Sequence, residues 1–135
     1  MEAKMIKILI DSASDICEEE AKNKGITMIP LEVRFGEDVY LDGVNLMPQE
    51  FLDKLTESTE LPKTSQINEY RWTEQFEKLT ANGDQVVAIT ISSKLSGTFN
   101  SAKAAAKKFP GQVFVVDSLT AATGERILCD YALRL

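Results

Sequence analysis

Short runs of apolar, often β-branched residues alternate along the chain with longer segments whose apolar positions recur at helical spacing. The short runs predict strands at residues 4–10, 26–35, 39–41, 85–91 and 113–116. The longer segments predict helices from Ser14 or Asp15 to about Lys24, over 49–56, 69–81 and 99–109, and from the stretch 117–124 onward. This alternation predicts an α/β fold of three layers, with a mainly parallel sheet between two layers of helices.

Glycine, proline and capping residues mark where these elements end. Gly25 is expected to end the first helix, and Pro30 to break the extended segment 26–35. A turn at 36–38 would let 39–41 fold back as a hairpin, and residues 60–66 are expected to form a loop. Pro48 suits the first turn of the second helix, and Asn68 is expected to cap the third.

The apolar patterns also predict what is buried. The continuous runs at 85–91 and 113–116 are typical of strands covered on both faces. In the third helix, the residues expected to face the core rather than a stacked ligand are Tyr70, Trp72, Phe76 and Leu79.

Composition narrows the classes of function. The 135 residues fit one domain, and 15 basic against 21 acidic residues argue against a nucleic-acid-binding surface. The absence of His excludes Ser-His-Asp and Cys-His nucleophiles and imidazole metal ligands within this chain. No apolar run is long enough to span a membrane, and no segment resembles a signal peptide. Cys17 and Cys129 lack C-x-x-C spacing and are expected to be small buried residues, so a cytoplasmic location is expected.

Hydroxyl-rich segments follow three of the strands, and a fourth precedes the third helix. They are DSASD at 11–15, SSKLSGT at 92–98, DSLT at 117–120 and TSQ at 64–66. The carboxyl ends of parallel strands are where ligands bind, and helix starts there favour anions. Gly97 has no side chain and would permit a ligand to approach the backbone closely. The segments therefore indicate a site for a carboxylate or phosphate, although the same residues would also serve simply as helix caps.

Known catalytic and phosphate motifs do not account for these segments. The patterns G-x-x-x-x-G-K-[ST], G-x-G-x-x-G and G-x-S-x-G are absent. Asp11 and Asp15 could hold Mg²⁺, but two aspartates across a strand–helix turn are more typical of turn and cap residues. No metal site is expected.

Together these segments, in this order, resemble the N-terminal part of the DegV family of bacterial fatty-acid-binding proteins. The string S-S-x-L-S-G-T is the most specific element, and the similarity extends from about residue 5 to the end of the chain. The resemblance implies a lipid carrier, not an enzyme, that holds a long-chain fatty acid without a cofactor and presents it to a fatty acid kinase for phospholipid synthesis. The residues it implies near the carboxylate are Thr64, Ser65 and Ser93, with Ser96, Gly97 and Thr98 close by and Asp11, Ser12, Asp117 and Ser118 in a secondary group.

The resemblance also implies a second domain, which is missing from residues 1–135, and the last helix reaches Leu135 without a capping residue. The chain is therefore expected to be an N-terminal domain with exposed tail-lining apolar surface, without membrane insertion but with a tendency to self-associate. The alternative is a phosphometabolite-binding domain of a phosphotransfer or kinase-like enzyme, because the same hydroxyl-rich segments would suit a phosphate.

Overall fold

The computed structural model of the protein describes residues 5–135, and it has the predicted alternation of strands and helices. The strands are β1 (Ile6–Asp11), β2 (Thr27–Ile29), β3 (Glu32–Phe35), β4 (Asp38–Leu41), β5 (Lys63–Ser65), β6 (Gln85–Thr90) and β7 (Val113–Asp117). The helices are α1 (Glu18–Lys24), α2 (Pro48–Glu57), α3 (Glu69–Thr80), α4 (Thr98–Ala106) and α5 (Thr123–Arg134), with a 3₁₀ turn at Ser12–Ser14. Lys4, placed in the first strand by the sequence pattern, lies outside the described residues.

The central sheet is parallel and has the order β2-β1-β6-β7. Alternate residues of each strand face opposite sides, as the pleat requires. On one side, Leu9, Val86 and Ala88 join a buried cluster with Trp72 and Phe76 of α3. α4 packs on that side too, through contacts with α3 and β7.

The other side of the sheet is covered by α1 and α5. Ile8, Ile10 and Ile89 form a second buried cluster there with Ala21 of α1 and Cys129 of α5. The predicted three-layer α/β fold with a parallel sheet is therefore confirmed.

Pro30 separates two sheets rather than bending one strand. Before it, β2 joins the parallel sheet; after it, β3 pairs antiparallel with β4, as the predicted hairpin requires. A third strand, β5, adds to the other edge of β3, so the expectation of a loop throughout 60–66 is wrong at residues 63–65. β5 consists of three exposed polar residues, which gives no apolar signal in the sequence.

The start of α1 also differs from the prediction, since neither Ser14 nor Asp15 caps it. The Ser14 hydroxyl donates to the Asp11 carbonyl over 2.8 Å, and Asp15 has a φ of 64° at the end of the 3₁₀ turn. The helix begins three residues later, where the Gly43 carbonyl accepts from the Glu18 amide at 2.9 Å. A distant backbone carbonyl therefore replaces the expected side-chain cap. Gly25 ends the helix in a left-handed conformation, as predicted.

Three burial predictions are wrong. Tyr70 is 71% exposed, while Trp72 and Phe76 are fully buried as expected. β7 is an edge strand whose Phe114 and Val116 are 50% and 42% exposed, because α1 and α5 do not extend over that edge. Cys129 is buried, but Cys17 is only partly buried at the start of α1. Within residues 5–135, no helix is long and apolar enough to cross a membrane.

Candidate functional site

A pocket of about 360 Å³ opens beyond the carboxyl end of β6, between the hydroxyl-rich segments at 64–66 and 92–98. We call it the head-group pocket; the residues that line it are Leu31, Thr64, Ser65, Gln66, Ile91, Leu95, Ser96 and Gly97. Four residues predicted from the sequence thus come together here, namely Thr64, Ser65, Ser96 and Gly97. The pocket combines polar groups with three apolar side chains.

β5 positions Thr64 and Ser65. Thr64 pairs with Val33 and Ser65 with Glu32 in the antiparallel sheet, which fixes the backbone of a segment that is otherwise exposed. β5 lies at the edge of its sheet, and both residues remain exposed. Their hydroxyl groups are therefore accessible to a ligand.

Gly97 matters because the Gln66 side chain lies directly against it. A Cβ atom at residue 97 would lie 2.0 Å from Gln66 Oε1, closer than real Cβ contacts allow. The φ of Gly97 is −76°, so the backbone conformation does not require glycine; the missing side chain leaves room for the Gln66 amide in its present position. In this structure the group that lies close to Gly97 is the Gln66 amide, which T-S-Q contains but which the sequence analysis did not select.

Ser96 and Thr98 link the two segments that form the pocket. Their hydroxyl oxygens are 2.9 Å apart, and the Ser96 hydroxyl also accepts from the Thr98 amide at 3.2 Å. Thr98 Oγ1 accepts from the Ile67 amide at 3.3 Å, directly after T-S-Q. Ser96 lines the pocket, whereas Thr98 is fully buried and does not. Thr98 therefore stabilises the pocket through its hydrogen bonds to Ser96 and Ile67.

The start of α4 adds electrostatic attraction for an anion. Gly97 precedes the first residue of this helix and also lines the pocket. The unpaired amides of a first helical turn carry partial positive charge, which favours a carboxylate or a phosphate nearby. The pocket therefore offers an anion hydrogen-bond donors from hydroxyl groups, a side-chain amide and a helix start, without a positively charged side chain among its lining residues.

Ser93 lies outside the pocket lining and pairs with Asp117 at the end of β7. The Ser93 amide donates to Asp117 Oδ1 over 3.1 Å, and its hydroxyl bonds to the same carboxylate, which lowers the pKa of Asp117. The Leu119 amide donates to that oxygen over 3.0 Å. Ser118 bonds within its own turn, to the carbonyl and amide of Thr120. The structure thus does not bring Ser93, Asp117 and Ser118 into the pocket.

Asp11 and Ser12 support the pocket from beneath. Both are buried; Asp11 Oδ2 accepts from the Ile91 amide at 2.7 Å, and the Ser12 hydroxyl accepts from the Leu31 amide at 2.9 Å. Ile91 and Leu31 both line the pocket. This secondary pair therefore fixes pocket-lining backbone instead of facing the ligand. Asp11 is a turn and cap residue, since it also accepts from the Ala13 amide at 3.1 Å.

Sequence reasoning missed Glu125 beneath the same edge of the sheet. It is fully buried in the first turn of α5 beside Asp11. Burial raises the pKa of Glu125 to about 11, and the Asp11 carboxyl acts in the same direction. Burial also raises the pKa of Asp11, against the opposing effect of its hydrogen bonds. One glutamate in a polar helical segment gives no sequence signal of burial. Among residues 5–135, no group of three or more acidic, Cys or His side chains could hold a metal ion.

Most of the chain matches proteins of one family. A family model described as "Uncharacterised protein, DegV family" matches residues 5–135. A DegV domain-containing protein from Listeria monocytogenes is 36% identical over 129 residues, which cover 96% of this chain and 42% of that protein. The chain thus spans less than half the length of this relative.

Solved structures with the same fold are described as fatty-acid-binding proteins. A DegV family protein from Thermus thermophilus, described by its fatty acid binding, has a TM-score of 0.87 at 33% identity; the match covers 97% of this chain and 47% of that one. DegV from Bacillus subtilis, described as a fatty acid binding protein, has a TM-score of 0.89 at 31% identity, covering 98% and 48%. A stearic-acid-binding protein from Eubacterium ventriosum has a TM-score of 0.84 at 31% identity, covering 96% and 47%.

Proposed function

This chain belongs to the DegV family, and on that premise we propose that it binds the carboxylate of a long-chain fatty acid in the head-group pocket. The observation that carries the proposal is the meeting of T-S-Q and S-S-K-L-S-G-T around one pocket at the start of α4. Similar structures described as fatty-acid-binding proteins support it.

The polar groups of the pocket suit a carboxylate. The proposed donors are the hydroxyls of Thr64, Ser65 and Ser96 and the amide of Gln66, with the Gly97 backbone beside them. A carboxylate that leaves water costs several kcal/mol unless donors replace its hydration. Thr98 and Ser93 act through their neighbours in this proposal, Thr98 by holding Ser96 and Ser93 by fixing its loop to Asp117.

The apolar groups beside them suit the start of an acyl chain. Leu31, Ile91 and Leu95 line the same pocket, and Leu95 is 67% exposed. Each buried methylene contributes about 0.8 kcal/mol, so a long chain gains roughly 10 kcal/mol when fully buried. The pocket volume of about 360 Å³ accommodates a head group and its first methylenes, and the rest of the tail requires further apolar surface.

The protein would act as a carrier and not as an enzyme. The proposed donors hold the carboxylate by hydrogen bonds alone. The carboxylate therefore stays free to react, and a fatty acid kinase can phosphorylate it for phospholipid synthesis. No cofactor is needed for such binding and presentation. A cytoplasmic location is part of the same proposal, since Cys17 and Cys129 are free thiols.

Calorimetric titration of palmitate into the full gene product tests the proposal. Replacing Thr64 or Ser96 with Ala should weaken binding by at least about tenfold, the lower bound for one hydrogen bond to a charged group. Thr59→Ala is the matched control, because Thr59 is an exposed hydroxyl that does not line the head-group pocket. Equal affinities for all variants would contradict the assignment of the site. Native mass spectrometry showing a bound phosphate ester instead of a fatty acid would favour the phosphometabolite alternative.

A further inference from the structure

Glu125 is a buried acid to which no donor is directed. Its side chain is fully buried, and among the described residues no N–H or O–H group donates to either of its carboxyl oxygens. The neighbouring group is the Asp11 carboxyl, which is also fully buried. Two ionised carboxylates in contact would repel each other in a region with little water. One of the two must therefore hold a proton.

The hydrogen bonds around the pair decide which group is protonated. Asp11 accepts amide hydrogen bonds on both oxygens, from Ala13 at 3.1 Å and from Ile91 at 2.7 Å. Such bonds favour the ionised form of Asp11. Glu125 has no comparable donors, so Glu125 is the member of the pair on which a proton is favoured. The strongly raised pKa of Glu125 agrees with this assignment.

Further contacts attach the start of α5 to the segment that follows β1, next to Asp11. The Ala122 amide donates to the Ala13 carbonyl over 2.7 Å, and the Arg126 guanidinium donates to the Asp15 carbonyl over 3.1 Å. A side chain at residue 124 would clash, since a Cβ there would lie 2.3 Å from Thr120 Oγ1. The Glu125 carboxyl is thus held against Asp11 by a closely packed helix start.

We propose that Glu125 is a positioning residue: it stays protonated, donates to the Asp11 carboxylate, and through Asp11 holds the Ile91 backbone in place for the head-group pocket. The chain of contacts runs from α5 through the end of β1 to the end of β6, where Ile91 lines the pocket. The link to ligand binding rests on the proposed function, whereas the acid–carboxylate hydrogen bond does not.

Several other ionisable groups face this pair. The negative charge of Asp15, after the 3₁₀ turn, raises the pKa of Glu125. The charge of Asp42, after β4, raises the pKa of Asp11. Both are acidic and favour retention of the proton. Cys129, one turn along α5, also interacts with Glu125, and burial raises the pKa of its thiol to about 11. Arg126 points away from the pair, to Glu20 and the Asp15 carbonyl.

The test compares two variants of different chemistry in the full gene product. Glu125→Gln keeps a donor for Asp11 but cannot ionise, and Glu125→Leu keeps the approximate volume but removes the donor. Glu77→Gln on the exposed side of α3 is the control. The readouts are palmitate affinity by calorimetry and hydrogen exchange of the Ile91 amide by NMR.

Glu125→Gln should bind palmitate and protect the Ile91 amide as the unsubstituted protein does. Glu125→Leu should lose roughly 5- to 10-fold in both, the effect of about one hydrogen bond. Equal behaviour of the two variants would overturn the proposal. If the unsubstituted protein bound no palmitate, the proposed function would fail, and the exchange of the Ile91 amide would still decide the role of Glu125.

A third measurement does not depend on any variant folding. The side-chain carboxyl carbon of Glu125, observed by ¹³C NMR in the unsubstituted protein, should keep the chemical shift of a protonated carboxyl group from about pH 3 to about pH 9. Titration near the ordinary value for a glutamate would overturn the proposal.

Discussion

The contact between Gly97 and Gln66 gives a prediction whose magnitude follows from the geometry. In Gly97→Ala, the added methyl group would lie 2.0 Å from Gln66 Oε1, where real contacts begin at about 3.0 Å. The amide must therefore retreat by at least 3.0 − 2.0 = 1.0 Å. Gln66 is exposed, so this movement should change the free energy of unfolding by no more than about 0.5 kcal/mol.

Ligand affinity should respond far more than stability. A hydrogen bond to a charged group contributes about 1.5–3 kcal/mol, so displacing the Gln66 amide should weaken palmitate binding roughly 10- to 150-fold. Gln66→Ala should cause a loss of the same size, because it removes the same donor. In the double variant the second substitution should cost nothing further, since the clash and the donor disappear together.

Calorimetry on the two single variants and the double variant measures this non-additivity, with urea unfolding as the check on stability. Additive losses would show that Gly97 and Gln66 act independently and would refute the reasoning. An unchanged affinity in Gly97→Ala would refute it as well, because the displaced amide would then make no contact with the ligand.

Three further predictions concern the scaffold. Trp72→Ala should lower the free energy of unfolding by about 3–5 kcal/mol because Trp72 is fully buried, whereas Tyr70→Ala should change it by no more than about 0.5 kcal/mol; similar losses in urea unfolding would contradict the core assignment. Ala122→Gly should stabilise the protein by about 1 kcal/mol, since Ala122 has φ 52° and ψ −124°, while Ala104→Gly within α4 should destabilise it by a similar amount; a loss in both would argue against strain at Ala122. Glu20→Gln should lower stability by less than about 1 kcal/mol at neutral pH, because the Arg126 hydrogen bond lowers the pKa of Glu20 in the folded state. That contribution is present above the ordinary carboxyl pKa and lost as the pH falls through the lowered one, so a difference that persists at pH 2 would contradict this origin.

Local signals in the sequence were sufficient for most of the fold. Gly25 ended α1, Asn68 capped α3, and the apolar runs at 85–91 and 113–116 placed β6 and β7. Each signal depends on residues close together in the chain, where propensity and capping act. Features that depend on distant partners were not predictable in this way. The start of α1 depends on the Gly43 carbonyl, and the exposure of Phe114 depends on which strand lies at the edge.

In the candidate site, too, local features were predictable from the sequence and features that depend on distant partners were not. The order of the hydroxyl-rich segments was visible in the sequence, and the structure brings Thr64 and Ser65 close to Ser96 and Gly97. The sequence could not show that Thr98 is buried while Ser96 lines the pocket. Both are hydroxyl residues of one short segment, and only the packing of that segment distinguishes them. Burial of Glu125 was equally invisible, since it results from the packing of α5 on the end of β1.

The central claim is that the head-group pocket holds the carboxylate of a fatty acid. The most direct test is the ¹³C NMR spectrum of palmitate labelled at its carboxyl carbon and bound to the full gene product. We predict a bound resonance distinct from that of free palmitate, shifted in both Thr64→Ala and Ser96→Ala and unchanged in Thr59→Ala. A bound resonance that is the same in all three variants would contradict the claim, because the carboxylate would then lie elsewhere.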